Sequence, residues 1–128
     1  MQNVENITVG NGSKFIAKEG ITGTSANNKF TWGKKSEVTI GNVDLEAGNN
    51  SFIVGADSEV TILQDLVNVS TVKVDKATTM IVGGSLTGDK LNVTVGDASK
   101  LDVVTGNIQI SKFGTIGDRG YIGQTVVC

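Results

Sequence analysis

The chain has 128 residues, enough for one domain, and its formal net charge is −2. It has no histidine and a single cysteine, so a Ser-His triad, an imidazole metal site and a zinc knuckle are excluded. Its 11 basic residues are scattered, whereas nucleic-acid binding needs a concentrated basic surface, so we expect no nucleic-acid partner.

Residues 1–6 lead into the first repeat. They lack the basic start and apolar core of a signal peptide, so we expect either a cytoplasmic protein or a part of a longer exported chain. The apolar runs further along are only a few residues long, so we expect no membrane insertion.

A repeat with a period of 20–23 residues runs from residue 7 to residue 110, and residues 54–62 (Val-Gly-Ala-Asp-Ser-Glu-Val-Thr-Ile) are a clear copy. The copies begin at Val9, Trp32, Val54, Val74 and Val95. Another apolar residue stands two positions before each start, with a variable residue between them. This alternation predicts a short strand with two residues facing inward.

A bend follows the first strand of each copy. Its first residue is glycine in four copies, at Gly10, Gly33, Gly55 and Gly96, and Asp75 in the other. Glycine and aspartate tolerate left-handed or tight backbone, which predicts the bend. A hydroxyl residue follows three positions later, at Ser13, Ser36, Ser58, Thr78 and Ser99. We expect these hydroxyls to stack and to bond to one another or to the turn backbone.

A second strand and a looser third side complete each copy. The second strand directs Phe15 and Ala17 inward in the first copy, and its equivalents are apolar in the later copies. The third side runs from Ile21 in the first copy to Ile108 and Ile110 in the fifth. Asn27-Asn28 and Asn49-Asn50 close the first two copies, and their spacing predicts a short asparagine ladder at a turn.

One copy cannot bury its own inward face, but stacked copies can. Each strand then pairs in parallel with its equivalent about 4.8 Å away. We therefore predict an all-β, single-stranded parallel β-helix (a β-solenoid) with about five coils and three short strands per coil, in a right-handed coil. The chain is predicted to be one domain, residues 1–128, with coils at residues 7–28, 29–50, 51–70, 71–91 and 92–110.

Residues 111–128 depart from the repeat. Residues 116–122 resemble a hairpin with Asp118-Arg119-Gly120 in its turn, which could cap the last coil. Alternatively, the segment continues as an irregular sixth coil. Cys128 cannot form an internal disulfide, although a terminal thiol could link two chains.

The sequence predicts no catalytic, cofactor-binding or metal-binding site. Glu37 and Glu59 are expected to stack between Lys14 and Thr79; we interpret them as a solvated charged edge, with an acid pair as the alternative. Outward threonines form two-coil arrays, which we interpret as ordinary strand residues, with ice binding as a minor alternative. The Asn-x-Ser/Thr triplets are attributed to composition, and we expect no glycosylation at Asn6, Asn11, Asn49, Asn68 and Asn92.

Two phrases carry a resemblance to known proteins. They are Asn-Ile-Thr-Val-Gly-Asn-Gly-Ser at residues 6–13 and Ser-Glu-Val-Thr-Ile at residues 36–40 and 58–62. Residues 6–110 resemble the degenerate β-helical repeats of bacterial autotransporter passengers and filamentous-haemagglutinin-type surface adhesins. The resemblance implies an exported, elongated stalk or adhesive surface.

Three functional hypotheses follow. The first is a structural or adhesive segment of a bacterial cell-surface or secreted protein, with a host-surface or matrix glycan or protein as partner. The second is a filament subunit that stacks end to end with copies of itself, as in bactofilin-like filaments, since an uncovered solenoid end is an open strand edge. The third is a glycan-binding or glycan-cleaving solenoid, which the absence of a predicted acidic groove disfavours.

Overall fold

The structure of the protein is a computed structural model that describes residues 6–23, 27–46, 48–88, 91–106, 108 and 112–124. These residues form fifteen short strands and no helix, and therefore contain no helix that could cross a membrane. The strands in chain order are β1 (Asn6–Val9), β2 (Lys14–Ala17), β3 (Ile21–Gly23), β4 (Lys29–Trp32), β5 (Glu37–Ile40), β6 (Val43–Leu45), β7 (Ser51–Val54), β8 (Glu59–Ile62), β9 (Leu66–Val67), β10 (Thr71–Val74), β11 (Thr79–Val82), β12 (Asn92–Val95), β13 (Lys100–Val103), β14 (Lys112–Ile116) and β15 (Tyr121–Gln124).

The strands form three parallel sheets that share one axis. Sheet A has the order β1-β4-β7-β10-β12-β14, and sheet B has the order β2-β5-β8-β11-β13-β15. Sheet C consists of β3, β6 and β9, and single bridges from Leu66 to Leu86 and from Leu86 to Ile108 continue it. Each strand therefore pairs with its equivalent one repeat later. The predicted all-β parallel solenoid of about five turns, with three sides per turn, is confirmed.

The pairing register places the repeat starts in one interior file. Val9 pairs with Trp32, and the file continues through Val54 and Val74 to Val95. The last four are at most 1% exposed, and Val9, on the first rung, is partly buried. A parallel sheet keeps identical positions on the same face, so an unbroken apolar file follows from equal spacing in the sequence.

Aromatic side chains fill the core of the early rungs. Phe30, Trp32 and Phe52 are each 1% exposed, and Phe15 packs against Trp32 with a distance of 5.1 Å between ring centroids. The Trp32 and Phe52 rings are 5.5 Å apart, within the range of favourable aromatic pairs. The fourth and fifth rungs have aliphatic side chains and Met80 in place of these rings. Trp32 is therefore part of the core.

The last described strands extend the two long sheets. β14 pairs in parallel with β12, with a register shift between Val93 and Val95, and β15 pairs in parallel with β13. Because β14 and β15 belong to different sheets, the hairpin interpretation of residues 116–122 is wrong. Ile116-Gly117 repeats the apolar-glycine step that ends four of the five earlier sheet A strands, so the turn at Asp118-Arg119 leads into sheet B. Ile110 and Cys128 lie outside the described residues.

Candidate functional site

A four-residue turn connects sheet A to sheet B on every rung, and we call it the A–B turn. Its copies are residues 10–13, 33–36, 55–58, 75–78, 96–99 and 117–120. The hydroxyl residues occupy its fourth position on all rungs but the last, where Gly120 replaces them. Ser36, Ser58, Thr78 and Ser99 are at most 2% exposed, so these polar groups need partners inside the protein.

The buried hydroxyls bond to the turn backbone and not to one another. Ser58 Oγ accepts the N–H of Ser36 at 3.1 Å and donates to the carbonyl oxygen of Gly33 at 3.0 Å. Thr78 Oγ1 accepts the N–H of Ser58 at 3.4 Å and donates to the carbonyl oxygen of Gly55 at 2.9 Å. Ser99 repeats the pattern one rung later. Each hydroxyl therefore joins two successive turns, the second of the two arrangements that the sequence left open.

The third residue of each A–B turn is left-handed. The φ angles in this column range from 53° to 71°, at Gly12, Lys35, Asp57, Ala77, Ala98 and Arg119. Five of the six N–H groups donate to a carbonyl of the next turn, at 2.7 to 3.1 Å. The first turn position is not left-handed, since Gly10, Gly33, Gly55 and Gly96 have no φ in that region, so tight backbone is the alternative that applies there. Only Gly12 and Asp57 are residue types that favour this conformation, so the column has no consistent signal in the sequence.

Close packing favours glycine at the first turn position on most rungs, although Asp75 occupies it on the fourth. A Cβ on Gly33 would lie 2.7 Å from the Gly10 carbonyl carbon, and a Cβ on Gly55 would lie 2.7 Å from the Lys34 nitrogen. A Cβ on Gly96 would lie 2.8 Å from the Lys76 nitrogen. Real Cβ atoms essentially never approach backbone so closely. Glycine therefore lets each turn lie directly on the turn of the preceding rung.

Asparagine and aspartate side chains hold the other corners. Asn50 Oδ1 accepts both the N–H and the Nδ2–H of Asn28 at 2.9 Å, and Asn50 Nδ2 donates to the carbonyls of Glu46 and Asn68 at 2.7 Å. The predicted ladder therefore forms between Asn28 and Asn50. Sequence reasoning missed a second ladder, in which Asn42 Oδ1 accepts the N–H of Asp65 and Asp65 Oδ1 accepts the N–H of Ser85.

The outer face of sheet B carries the charged column. Lys14, Glu37 and Glu59 are cross-strand neighbours, and Lys14 Nζ lies 4.0 Å from a Glu37 carboxylate oxygen. Both side chains of this ion pair are more than 60% exposed, so it contributes little to stability. These residues and Asp57 line an open depression of about 380 Å³. Within the described ranges, no three acidic or cysteine side chains are grouped to hold a metal ion.

The outer face of sheet A is polar and has no acidic side chain at its ten outward positions on β1, β4, β7, β10 and β12. We call these positions the sheet A face: Asn6, Thr8, Lys29, Thr31, Ser51, Ile53, Thr71, Lys73, Asn92 and Thr94. Each of these outward residues lies beside its equivalent on the neighbouring strand of sheet A. The face therefore presents hydroxyl and amide groups with two separated positive charges.

Both ends of the described solenoid present strand edges. β1 and β2 pair on one side only, and so do β14 and β15. Val9 and Phe15 on the first rung and Ile122 on the last are only partly buried, and Ile116 is 46% exposed. Among the described residues, the sheet A face and these edges are two surfaces with unpartnered polar groups. Comparison of the chain with protein families, curated proteins and solved structures gave no match.

Proposed function

We propose that this chain is a non-catalytic structural or adhesive β-solenoid segment of a bacterial cell-surface or secreted protein. One observation carries the proposal: hydrogen bonds join successive rungs both in the sheets and through the A–B turns. The buried hydroxyls and the left-handed N–H groups make these turn bonds. The resemblance of residues 6–110 to bacterial surface repeats supports the same role.

A spacer needs a shape that does not depend on a ligand. Each added rung lengthens a solenoid by about 4.8 Å, and stacked neighbours supply the core that one rung lacks. Rung-to-rung bonds at the corners restrict the sliding and tilting of rungs, since a shift would break both strand and turn ladders. This arrangement suits a stiff segment that holds other parts of a protein at a distance.

The sheet A face is the surface that we propose for adhesion. Its threonine, serine and asparagine side chains can exchange hydrogen bonds with glycan hydroxyls, and Lys29 and Lys73 can pair with acidic sugar groups. Without carboxylates, the face does not repel an anionic polysaccharide. A host-surface or matrix glycan is therefore the partner that fits best.

Protease treatment of intact cells tests the location. An antibody against the chain should detect it in the surface or culture-fluid fraction of its source organism, and protease should remove the surface signal without lysis. Detection in the cytoplasmic fraction alone, protected until lysis, would refute the proposal.

A glycan array tests adhesion with the purified chain. Binding to acidic glycans should weaken about tenfold in a Lys29→Gln, Lys73→Gln variant, because each lost exposed ion pair is worth up to about 1 kcal/mol. Lys14→Gln on sheet B is the control and should bind as the unmodified chain does. Cleavage of any array polysaccharide would contradict the non-catalytic role.

A further inference from the structure

The two ends of the solenoid expose complementary backbone groups. The first turn residue donates its N–H to the preceding rung, as in the bond from Gly33 to the Val9 carbonyl at 2.8 Å. Gly10 occupies the same position on the first described rung, so its N–H faces away from the described rungs. The left-handed residue donates to the following rung, as Ala98 does to Asp118 at 2.8 Å. Arg119 occupies that position on the last described A–B turn, so its N–H faces the opposite end.

No described residue packs closely enough against Gly10 to require a glycine at this position. In its column, a Cβ on Gly33, Gly55 or Gly96 would collide with the turn of the preceding rung. Among the described residues, a Cβ on Gly10 would meet only Ser13 Oγ, at 3.9 Å. The φ of Gly10 does not require glycine either. A turn stacked beneath Gly10 in the same way would bring backbone as close to it as to Gly33, Gly55 and Gly96, whereas Asp75 shows that the column admits a Cβ on the fourth rung.

Side chains at the two ends also continue the same columns. Val9 and Ile116 lie at the two ends of one interior file. In sheet B, Lys14 and Tyr121 end one outward column, and Tyr121 already has Lys100 Nζ 5.7 Å from its ring centroid. Tyr121 is 51% exposed, which leaves room for a second cation on its ring.

We propose that a second copy of this chain continues the coil head to tail. In this pairing, β14 and β15 of one copy lie beside β1 and β2 of the next. Val9 then packs on Ile116, Phe15 packs on Ile122, and Lys14 covers the free face of Tyr121. The Arg119 N–H reaches the Asn11 carbonyl, and the Gly10 N–H reaches the Ile116 carbonyl.

This contact is heterologous, since a different surface of each copy takes part, and an open assembly keeps one unpaired N-terminal edge and one unpaired C-terminal edge. Such contacts produce open filaments when the rotation does not close a ring. Six rungs per copy would add roughly 29 Å of length. The spacer proposal does not depend on this pairing, because a solenoid holds its shape as a monomer.

Sedimentation of the full 128-residue chain over a concentration series tests the pairing, with reductant present so that Cys128 cannot link chains. We expect concentration-dependent species longer than a monomer, and rods in negatively stained micrographs. Gly10→Ala should weaken association at least about tenfold, because a Cβ facing backbone at under 3 Å cannot be accommodated without a shift. Its melting temperature at monomeric concentrations should stay unchanged.

Two further outcomes test the head-to-tail pairing. Gly10→Ala keeps an intact C-terminal edge, so substoichiometric amounts mixed with unmodified chain should shorten the rods. A monomer at all concentrations, or association that Gly10→Ala leaves unchanged, would overturn the head-to-tail pairing and leave the spacer proposal standing. A Gly33→Ala variant serves as the comparison, since it should destabilise the monomer itself.

Discussion

Ser58 Oγ lies 3.0 Å from the carbonyl oxygen of Gly33, although 25 residues separate the two in the chain. Ser58 Oγ also accepts the N–H of Ser36. One hydroxyl therefore satisfies two buried backbone groups of the preceding turn. The repetition of this arrangement at Thr78 and Ser99 makes the A–B turn a bonded stack and not a flexible loop.

Ser58→Ala should destabilise the protein by about 1–3 kcal/mol, because it leaves the buried Ser36 N–H without this partner and the Gly33 carbonyl with only Ser36 Oγ as a side-chain donor. Urea unfolding monitored by circular dichroism measures the change. Ser58→Thr is the matched control and should cost under about 1 kcal/mol, since Thr78 occupies the same column and only one methyl group is added. Equal losses for the two variants would show that the hydroxyl bonds do not hold the turn.

Ala98→Gly should stabilise the protein by about 0.5 kcal/mol. The left-handed conformation costs a residue with a Cβ about 1–2 kcal/mol, and the greater freedom of glycine in the unfolded chain offsets part of the gain. Ala98 is exposed with a φ of 55°, so no packing is lost. The midpoint of thermal unfolding should rise.

The reverse substitution, glycine to alanine, can be made at the same turn position on the first rung. Gly12 has a φ of 71° and nothing within 4 Å of its added Cβ, so Gly12→Ala tests backbone strain alone. It should lower stability by about 1 kcal/mol. A rise in stability for Gly12→Ala, or a fall for Ala98→Gly, would argue against a left-handed third position.

Asn50→Ala should lower the free energy of unfolding by about 3 kcal/mol or more. The side chain is fully buried and bonds to the backbone of Asn28, Glu46 and Asn68 and to the Asn28 side chain. Each buried group left unpaired costs about 1–3 kcal/mol.

The comparison variant is Asn50→Leu, because Leu91 is buried in the same column two rungs later. Leucine restores volume but no hydrogen bonds, so it should recover only part of the loss in urea unfolding. Full recovery with leucine would mean that the position needs volume and not the asparagine ladder.

Glu59→Lys should stabilise the protein by about 0.2–1 kcal/mol at low ionic strength, because it replaces a carboxylate opposite Glu37 with an opposite charge. The gain should fall away in about 1 M salt, where the screening length is about 3 Å. Thr61→Lys, on the next outward position of the same strand, has Thr39 and Ile81 as cross-strand neighbours and should change stability less. A salt-independent gain would exclude the charge explanation.

The interior of the solenoid could be predicted because it depends on spacing alone. Val54 and Val74 are twenty residues apart in the sequence, and both lie inward on short strands, so stacking aligns them. The column of hydroxyl residues could be predicted for the same reason. Its hydrogen-bond partners could not be predicted, because the Gly33 carbonyl reaches Ser58 only after the rungs stack.

The backbone of the A–B turn could not be read from the sequence. Lys35, Asp57 and Ala98 adopt the same left-handed conformation although their side chains differ, since a bond to the following rung accompanies that conformation. The glycine at the first position reflects close contact with the preceding turn, whose residues are twenty or more positions away in the sequence. Sheet C was harder to place because Leu86 and Ile108 contribute single bridges in place of strands.

A distance measurement between spin labels tests the stacked register most directly. Labels at Thr8→Cys and Thr94→Cys, with Cys128→Ser and dilution by unlabelled chain, report only the distance within one molecule. The two positions are four strand steps apart in sheet A, so their Cα atoms should be roughly 19 Å apart with a narrow distribution. A broad distribution, or a main distance beyond roughly 30 Å, well above that spacing, would contradict the stacked rungs on which the proposed function depends.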